Sequence, residues 1–375
     1  MLTVQGFSSP SVGRLPLCWL AAGIFLACAD SAPLEIGVAL GTEGERGASL
    51  AIARLNAERG RGRPVAMRIV HGGWNTGAEI ALQVAESLAE NPRVMAVVGH
   101  ANSSASLAGS EVYNQRHVVQ VAPTTTAPLY SDAGPWSFRL APSDLHQARF
   151  LADAARATGH GRVAVAYVND DYGRALYAMT NRALGENGLR SVYDGAFVED
   201  DTTNGPAGLV KPLVDAKPIL LLWLGRAREF AQVAPLLRKA LPDLQVLASD
   251  GFGGLNVGSD TSGVFDGVQY VRLVNVDRPD STFQRVRTEY RRATGGQEIT
   301  DQAALSYDAV MLVGAAIGEV GGNRERIREW MNHVGRDRPP FAGITGPIAF
   351  DGGGDPLTRY HVVTARAPRH TSVRP

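Results

Sequence analysis

The residues best placed to do chemistry in this chain of 375 are hydroxyls, in two groups separated by one predicted helix. Ser103, Ser104 and Ser106 follow a short apolar run at 95–98 that ends at Gly99. Thr124, Thr125 and Thr126 follow a second run, 118–121, that ends at Ala122-Pro123. The serines are suited to cap the helix between the two groups. A helix N-terminus offers unpaired N–H groups and partial positive charge, so hydroxyls beside it can hold a carboxylate without a charged side chain. One such loop reads most simply as a cap and a turn. Two at successive strand ends point to a ligand site, because open α/β sheets bind ligands outside the carboxyl ends of their strands. This is binding chemistry, with no nucleophile–base pair in view.

Other chemistries lack their residues. The eight histidines, from His71 to His370, fall into no HxxxH, HxH or Cys/His metal spacing, and there is no G-x-S-x-G elbow or G-x-x-x-x-G-K-[ST] loop. The run GFGGLNVG at 251–258 imitates a Gly-rich phosphate loop but follows Asp250 deep in the chain, without a first βα unit. Gly352, Gly353 and Gly354 read as a turn between the last two strands. No metal and no cofactor is expected. Lys plus Arg equals Asp plus Glu at 37 each, and removing a leader with Arg14 as its one charge leaves 36 against 37, a net charge of −1. That balance offers nothing to nucleic acid. Lysine occurs only at Lys211, Lys217 and Lys239, which carries no functional weight.

The N-terminus reads as an export signal. Arg14 precedes an apolar run, 15–27, too short and one-sided for a comfortable membrane span. Both cysteines, Cys18 and Cys28, lie in it or at its end, so the mature domain has no disulfide to form. No later stretch looks long and apolar enough to cross a bilayer, and everything after residue 30 is expected to be soluble.

Strand and helix periodicities then alternate. Strands are expected at 34–40, 65–70, 95–98 and 118–121, with helices between them, the second stopping before Pro92. That βαβαβαβ series is the pattern of a parallel sheet covered on both faces. It restarts after Pro142, with a helix at 150–156, strands at 163–168, 191–198, 219–224 and 244–248, and helices at 173–187, 205–215 and 228–241. Residues 267–273 cross back. Helices at 281–293, 302–320 and 323–334 follow, and the last strands lie near 348–350 and 359–365. The chain is thus two similar α/β halves in series.

Five segments, in order and spacing, resemble a known family: VVGHANSSAS at Val97, APTTTAP at Ala122, VNDDYGRAL at Val168, SYDAVMLVGAAI at Ser306 and GPIAFDGGGDP at Gly346. From Leu34 to about Ala365 the chain is similar to the type I periplasmic solute-binding proteins, in the branch that includes the branched-chain amino-acid (Leu/Ile/Val) binding proteins of ABC transporters. The resemblance implies two Rossmann-like α/β lobes with parallel sheets, joined by a three-crossover hinge and closing around a ligand. Lobe one would be 34–142 plus 272–345, and lobe two 143–271 plus 346–368, with 369–375 a tail. It further implies that Ser103 and Thr126 hold an α-carboxylate, that the carbonyl of Thr124 and the side chain of Asp250 hold the ammonium, and that Tyr172 closes over the ligand. Asp250 makes chemical sense unaided, since a carboxylate buried at a cleft mouth needs a cation. It could also be a helix cap, and Tyr172 an ordinary half-buried aromatic.

The sequence also departs from the family. The loop 41–44 is shortened, which removes an aromatic wall. After the strand at 219–224, LWLGRARE puts Arg226 or Trp223 near the side-chain end of the ligand, where Arg226 could pair with an acidic or carbonyl group or remain a surface charge. Trp74 and Asn102 stand where relatives often have a disulfide. FLAC at 25–28 resembles a bacterial lipobox, with Phe25 in place of the usual Leu, so Cys28 is the expected lipidation site, 1–27 the signal peptide and 28–33 a tether. The reading is a monomeric, non-enzymatic protein of the periplasm or cell envelope, touching the membrane only through its anchor. It delivers a small amino acid to an ABC permease. A ligand sensor, an outer-membrane lipoprotein activator on the same fold, and a hydrolase are the alternatives.

Overall fold

A computed structural model describes residues 32–59, 65–70, 77–159, 161–198, 205–254, 257, 260, 262–358 and 360–365. The expected signal peptide, Cys18, Cys28, Trp74 and the tail at 369–375 lie outside these residues.

The first half runs β1 (Leu34–Ala39), α1 (Thr42–Arg59), β2 (Val65–Ile69), α2 (Ala78–Ala89), β3 (Val94–Gly99), α3 (Ser103–Gln115), β4 (Val119–Ala122) and β5 (Ser137–Arg139). Its strands form one parallel sheet in the order β2-β1-β3-β4-β5. β3 and β4 are buried throughout. Helices cover both faces, and so these strands read as continuous apolar runs. β5 was not expected: SFR is too short and polar to show a strand period, and only its parallel pairing with β4 defines it.

The second half contains α4 (Asp144–Ala157), β6 (Val163–Val168), α5 (Asp171–Glu186), β7 (Ser191–Phe197), α6 (Gly205–Ala216), β8 (Leu220–Leu224), α7 (Ala227–Ala240), β9 (Gln245–Ala248) and β10 (Gln269–Arg272). After them come α8 (Ser281–Ala293), α9 (Asp301–Val320), α10 (Arg324–His333), β11 (Phe341–Gly343), β12 (Gly346–Ile348) and β13 (His361–Thr364). The second sheet has the order β13-β10-β9-β8-β6-β7, parallel except for β13, which runs antiparallel on β10. α9 packs along α1, and α10 on α9 and β3, so the late helices return to the first sheet. The chain passes between the sheets three times.

Several expectations need correction. α4 starts at Asp144, six residues before the expected 150, because Ser143 caps it by accepting from the amide of Leu145. The strand expected at 348–350 is β12, which pairs only with β11 in a separate antiparallel ribbon. α9 is long and apolar enough to cross a membrane by length and composition, contrary to the expectation for residues after 30. Most of it is buried within the fold: Gly47 of α1 lets its backbone meet the Ala303 carbonyl, where a Cβ would lie 2.0 Å away.

Candidate functional site

Both sheets reverse their winding beside the residues of interest. In the first, β1 is flanked by β2 and β3; in the second, β8 and β7 flank β6. Such reversals leave a crevice outside the strand carboxyl ends. β3 and β4 open there into the serine and threonine loops, and β6, β8 and β9 end beside Asp170, Arg226 and Asp250.

The two hydroxyl loops are tied to each other. Asn102, rather than a serine, caps α3 by accepting from the Ala105 amide at 2.9 Å. This frees Ser103 from capping, and its Oγ accepts from the amides of Thr126 and Ala127 at 3.4 and 3.3 Å. Thr125 is fully buried and donates to Ser106 Oγ at 2.7 Å, while Thr124 Oγ1 lies 3.5 Å from the Ala101 carbonyl. Thr125 therefore fixes the loops, and Thr124 and Thr126 flank it.

From Thr126 a chain of polar contacts runs into the second half. Thr126 Oγ1 donates to Asp144 Oδ2 at 3.0 Å. Gln147, one turn along α4, donates to Asp144 Oδ1 at 3.0 Å and to Asp250 Oδ1 at 2.8 Å, and its Oε1 accepts from the Asp250 amide at 2.8 Å. The Tyr172 hydroxyl donates to Asp250 Oδ1 at 2.5 Å and lies 3.1 Å from Ser249 Oγ. Ser103, Thr126, Tyr172 and Asp250 are thereby brought into one network, and Asp250 opens a short 3-10 turn, 250–254, as well.

Asp144 and Gln147 are the members that sequence reasoning missed. The available signal was a Ser-Asp pair directly after Pro142, with Gln three residues on, at the expected first crossover. The polar first turn of α4 hid it, because the apolar period begins only further along the helix. Burial first, then the neighbouring Asp250 charge, push the Asp144 carboxyl up to about 7. Burial likewise raises Asp250 above the usual carboxylate range, against the lowering effect of Tyr172 and Gln147.

Arg226 stands on the far side of Tyr172, its guanidinium 5.9 Å from the ring centroid. It is ion-paired with Asp170 at 2.7 Å and lies 3.7 Å from the buried Glu229. Trp223 does not reach the cleft. It is fully buried in β8 among Phe197 and Phe230, with its indole N–H on the Arg226 carbonyl, because an inward position on a central strand is core. Of the segment 41–44, residues from Thr42 belong to α1. Among the described residues no group of three His, Cys, Asp or Glu could hold a metal ion.

The periplasmic binding protein family model matches residues 29–366, nearly the whole chain. The chain belongs to the periplasmic binding protein family. It is 26% identical over 326 residues to Leu/Ile/Val-binding protein homolog 1 of Brucella abortus, covering 84% of this chain and 83% of that one. The branched-chain amino acid transporter substrate binding protein of Streptococcus pneumoniae, solved with isoleucine, superposes with a TM-score of 0.76 at 20% identity, covering 89% of this chain and 96% of that one. A solute binding protein of an ABC transporter from R. palustris, solved with benzoate, also has a TM-score of 0.76, at 15% identity with coverage of 89% and 94%. The fold is the two-lobed type I architecture of this family. The family is a substrate-binding, non-enzymatic class.

Proposed function

We propose that this protein captures a free α-amino acid or close analogue outside the cytoplasmic membrane, closes its lobes over it by a hinge, and presents it to an ABC permease. The observation that carries the reading is the Asp250 carboxylate. It is enclosed by Gln147 and Tyr172 without a lysine or arginine paired to it among the described residues, and one polar network joins it to the hydroxyls of Thr126 and Ser103. A zwitterion complements both ends, with its ammonium on Asp250 and the Thr124 carbonyl and its carboxylate on Ser103 and Thr126. An amine-free acid such as benzoate brings no cation to Asp250. Tyr172 covers the ligand, and Arg226 faces the side-chain end. The lobes are 34–142 with 272–356, and 143–271 with the segment from 357 that leads into β13, since β12 pairs with β11 and Asp355 with Arg139 of the first sheet. Residues 1–27 direct export to the periplasm and Cys28 carries a lipid, a modification that mass spectrometry of membrane fractions reads directly.

Calorimetry on the mature protein tests the reading. At least one free α-amino acid should bind, and its decarboxylated and N-acylated analogues should bind far more weakly. Equal binding of either analogue, or preferential binding of benzoate, overturns the zwitterion assignment. A thermal-shift screen finds the solute, since a ligand at 100 times its Kd adds about 2.7 kcal/mol of stability.

A further inference from the structure

Gln147 stands between two carboxylates. One NH2 group serves both Asp144 and Asp250, so the two acids lie within reach of a single amide. The groups that face them come from every element packed around this point. Thr126 approaches from the loop after β4, Tyr172 from α5, Ser249 from the end of β9, and Tyr360 from the segment before β13, its hydroxyl donating to the carbonyls of Pro142 and Ser143. Arg139 of β5 lies near Asp144 but is engaged by Asp355. Asp301 of α9 lies near Asp250 and is engaged by Arg272. Each nearby cation thus has its own carboxylate. Among the described residues none forms an ion pair with Asp144 or Asp250.

We propose that Asp144 and Asp250 work as one acid pair joined by Gln147, which retains a proton while no ligand is bound and exchanges it for the primary ammonium of the solute. The inference rests on the amino-acid reading of the cleft. Two carboxylates this close, Asp144 buried and Asp250 partly buried, cannot both ionise cheaply, because each loses hydration and each repels the other. The raised affinity of Asp144 for its proton agrees with that geometry. When the ammonium arrives at Asp250 it supplies the missing positive charge, both acids ionise, and the proton leaves to solvent. Asp250 touches the ligand. Asp144 is a positioning residue that acts through Gln147, and it makes the site selective for solutes that bring a cation. Since the ligand-free state holds a proton that the bound state lacks, affinity falls with acidification, by about tenfold per pH unit below the pair's titration, and levels off above it.

Calorimetry with the common L-amino acids, in buffers of different ionisation enthalpy, counts the protons. For the amino acid that binds, roughly one proton should be released per ligand at about pH 6 and close to none at about pH 8, with the matching loss of affinity between them. Asp144→Asn, which keeps the size of the side chain and an oxygen for Thr126, should bind the same amino acid with no proton released and a flat pH profile. No release from the wild-type protein at the lower pH, or undiminished release from Asp144→Asn, overturns the proposal. If the folded protein binds no amino acid, the cleft reading fails instead, and infrared spectroscopy of the ligand-free protein decides the pairing alone. The carboxylic-acid C=O band at about pH 6, to which Asp308 also contributes, should then be weaker in Asp144→Asn by one group, and a wild-type band no stronger than that of Asp144→Asn refutes the pair.

Discussion

At the scale of single residues, the partners of an acid separate a proposed binding role from a structural one in this protein. Asp250 has hydroxyl and amide partners but, among the described residues, no cation, whereas Arg139, fully buried, is held by Asp355 through two contacts of 2.7 and 2.6 Å and also donates to the Ala127 carbonyl and Ser131 Oγ. Removing Asp250 should therefore act on ligand. Asp250→Ala is expected to weaken amino-acid binding by about 2–5 kcal/mol, the range for truncating one partner of a buried charge pair, as read by calorimetry. Removing Asp355 should act on folding. Asp355→Ala leaves a buried guanidinium uncompensated and is expected to destabilise the protein by about 3–5 kcal/mol in urea unfolding. If it instead leaves stability intact and abolishes binding, the division between the two acids is wrong. The GGGDP turn, read from sequence as a connection between strands, is thus the holder of the Arg139 counter-charge.

At the scale of elements, two helical glycines give opposite predictions for one substitution. Propensity alone favours Ala over Gly inside a helix by about 0.8–1.0 kcal/mol. Gly185 of α5 has open space where a Cβ would stand, so Gly185→Ala should stabilise by a few tenths to about 1 kcal/mol. Gly47 of α1 has the Ala303 carbonyl oxygen 2.0 Å from that position, and backbone cannot swing aside as a side chain can. Gly47→Ala must part α1 from α9, and overpacking of about 1–3 kcal/mol outweighs the propensity gain. Thermal unfolding of the two variants should move in opposite directions, and a stabilised Gly47→Ala would show that the two helices do not pack as described. This contact also helps make so apolar a helix as α9 a core element, because α1 packs along it.

At the scale of the whole molecule, closure and pH follow from how the halves are joined. A solute touching both lobes stabilises the closed arrangement by its differential affinity alone. Small-angle scattering should show a smaller radius of gyration with the bound amino acid, and Tyr172→Ala should reduce affinity and closure together. An unchanged radius at saturation removes the hinge from the mechanism. In the ligand-free protein, burial raises Asp144 to about 7 and Asp308 to about 6, the latter despite its bonds from Ile344 and Thr345. Their unfolded values are lower, so this contribution to stability is complete only in acid and is withdrawn as pH rises through the folded values. His100, buried and lowered to about 4, has the reverse sign and withdraws stability as pH falls below the unfolded value of 6.5. Scanning calorimetry should therefore show Tm rising from about pH 8 to about pH 6.5, before His100 opposes the trend. A flat profile over that range would mean that Asp144 is already ionised.

What the sequence by itself determined is whatever local pattern controls. Apolar runs and helical spacings located the two α/β halves, because periodic burial is written in neighbouring residues, and the paired hydroxyl loops marked the strand ends that meet at the candidate site. Read along the chain, the serine group that begins at Ser103 was suited to cap the helix, Trp223 stood as an alternative to Arg226 near the ligand, and Asp144 and Gln147 were passed over. Tertiary structure decided these four. Asn102 took the cap, a central strand buried Trp223, and the fold carried the first turn of α4 to Asp250, 103 residues away from Gln147. Whether a carboxylate is solvated, paired or shared depends on what surrounds it in space, and no periodicity along the chain records that.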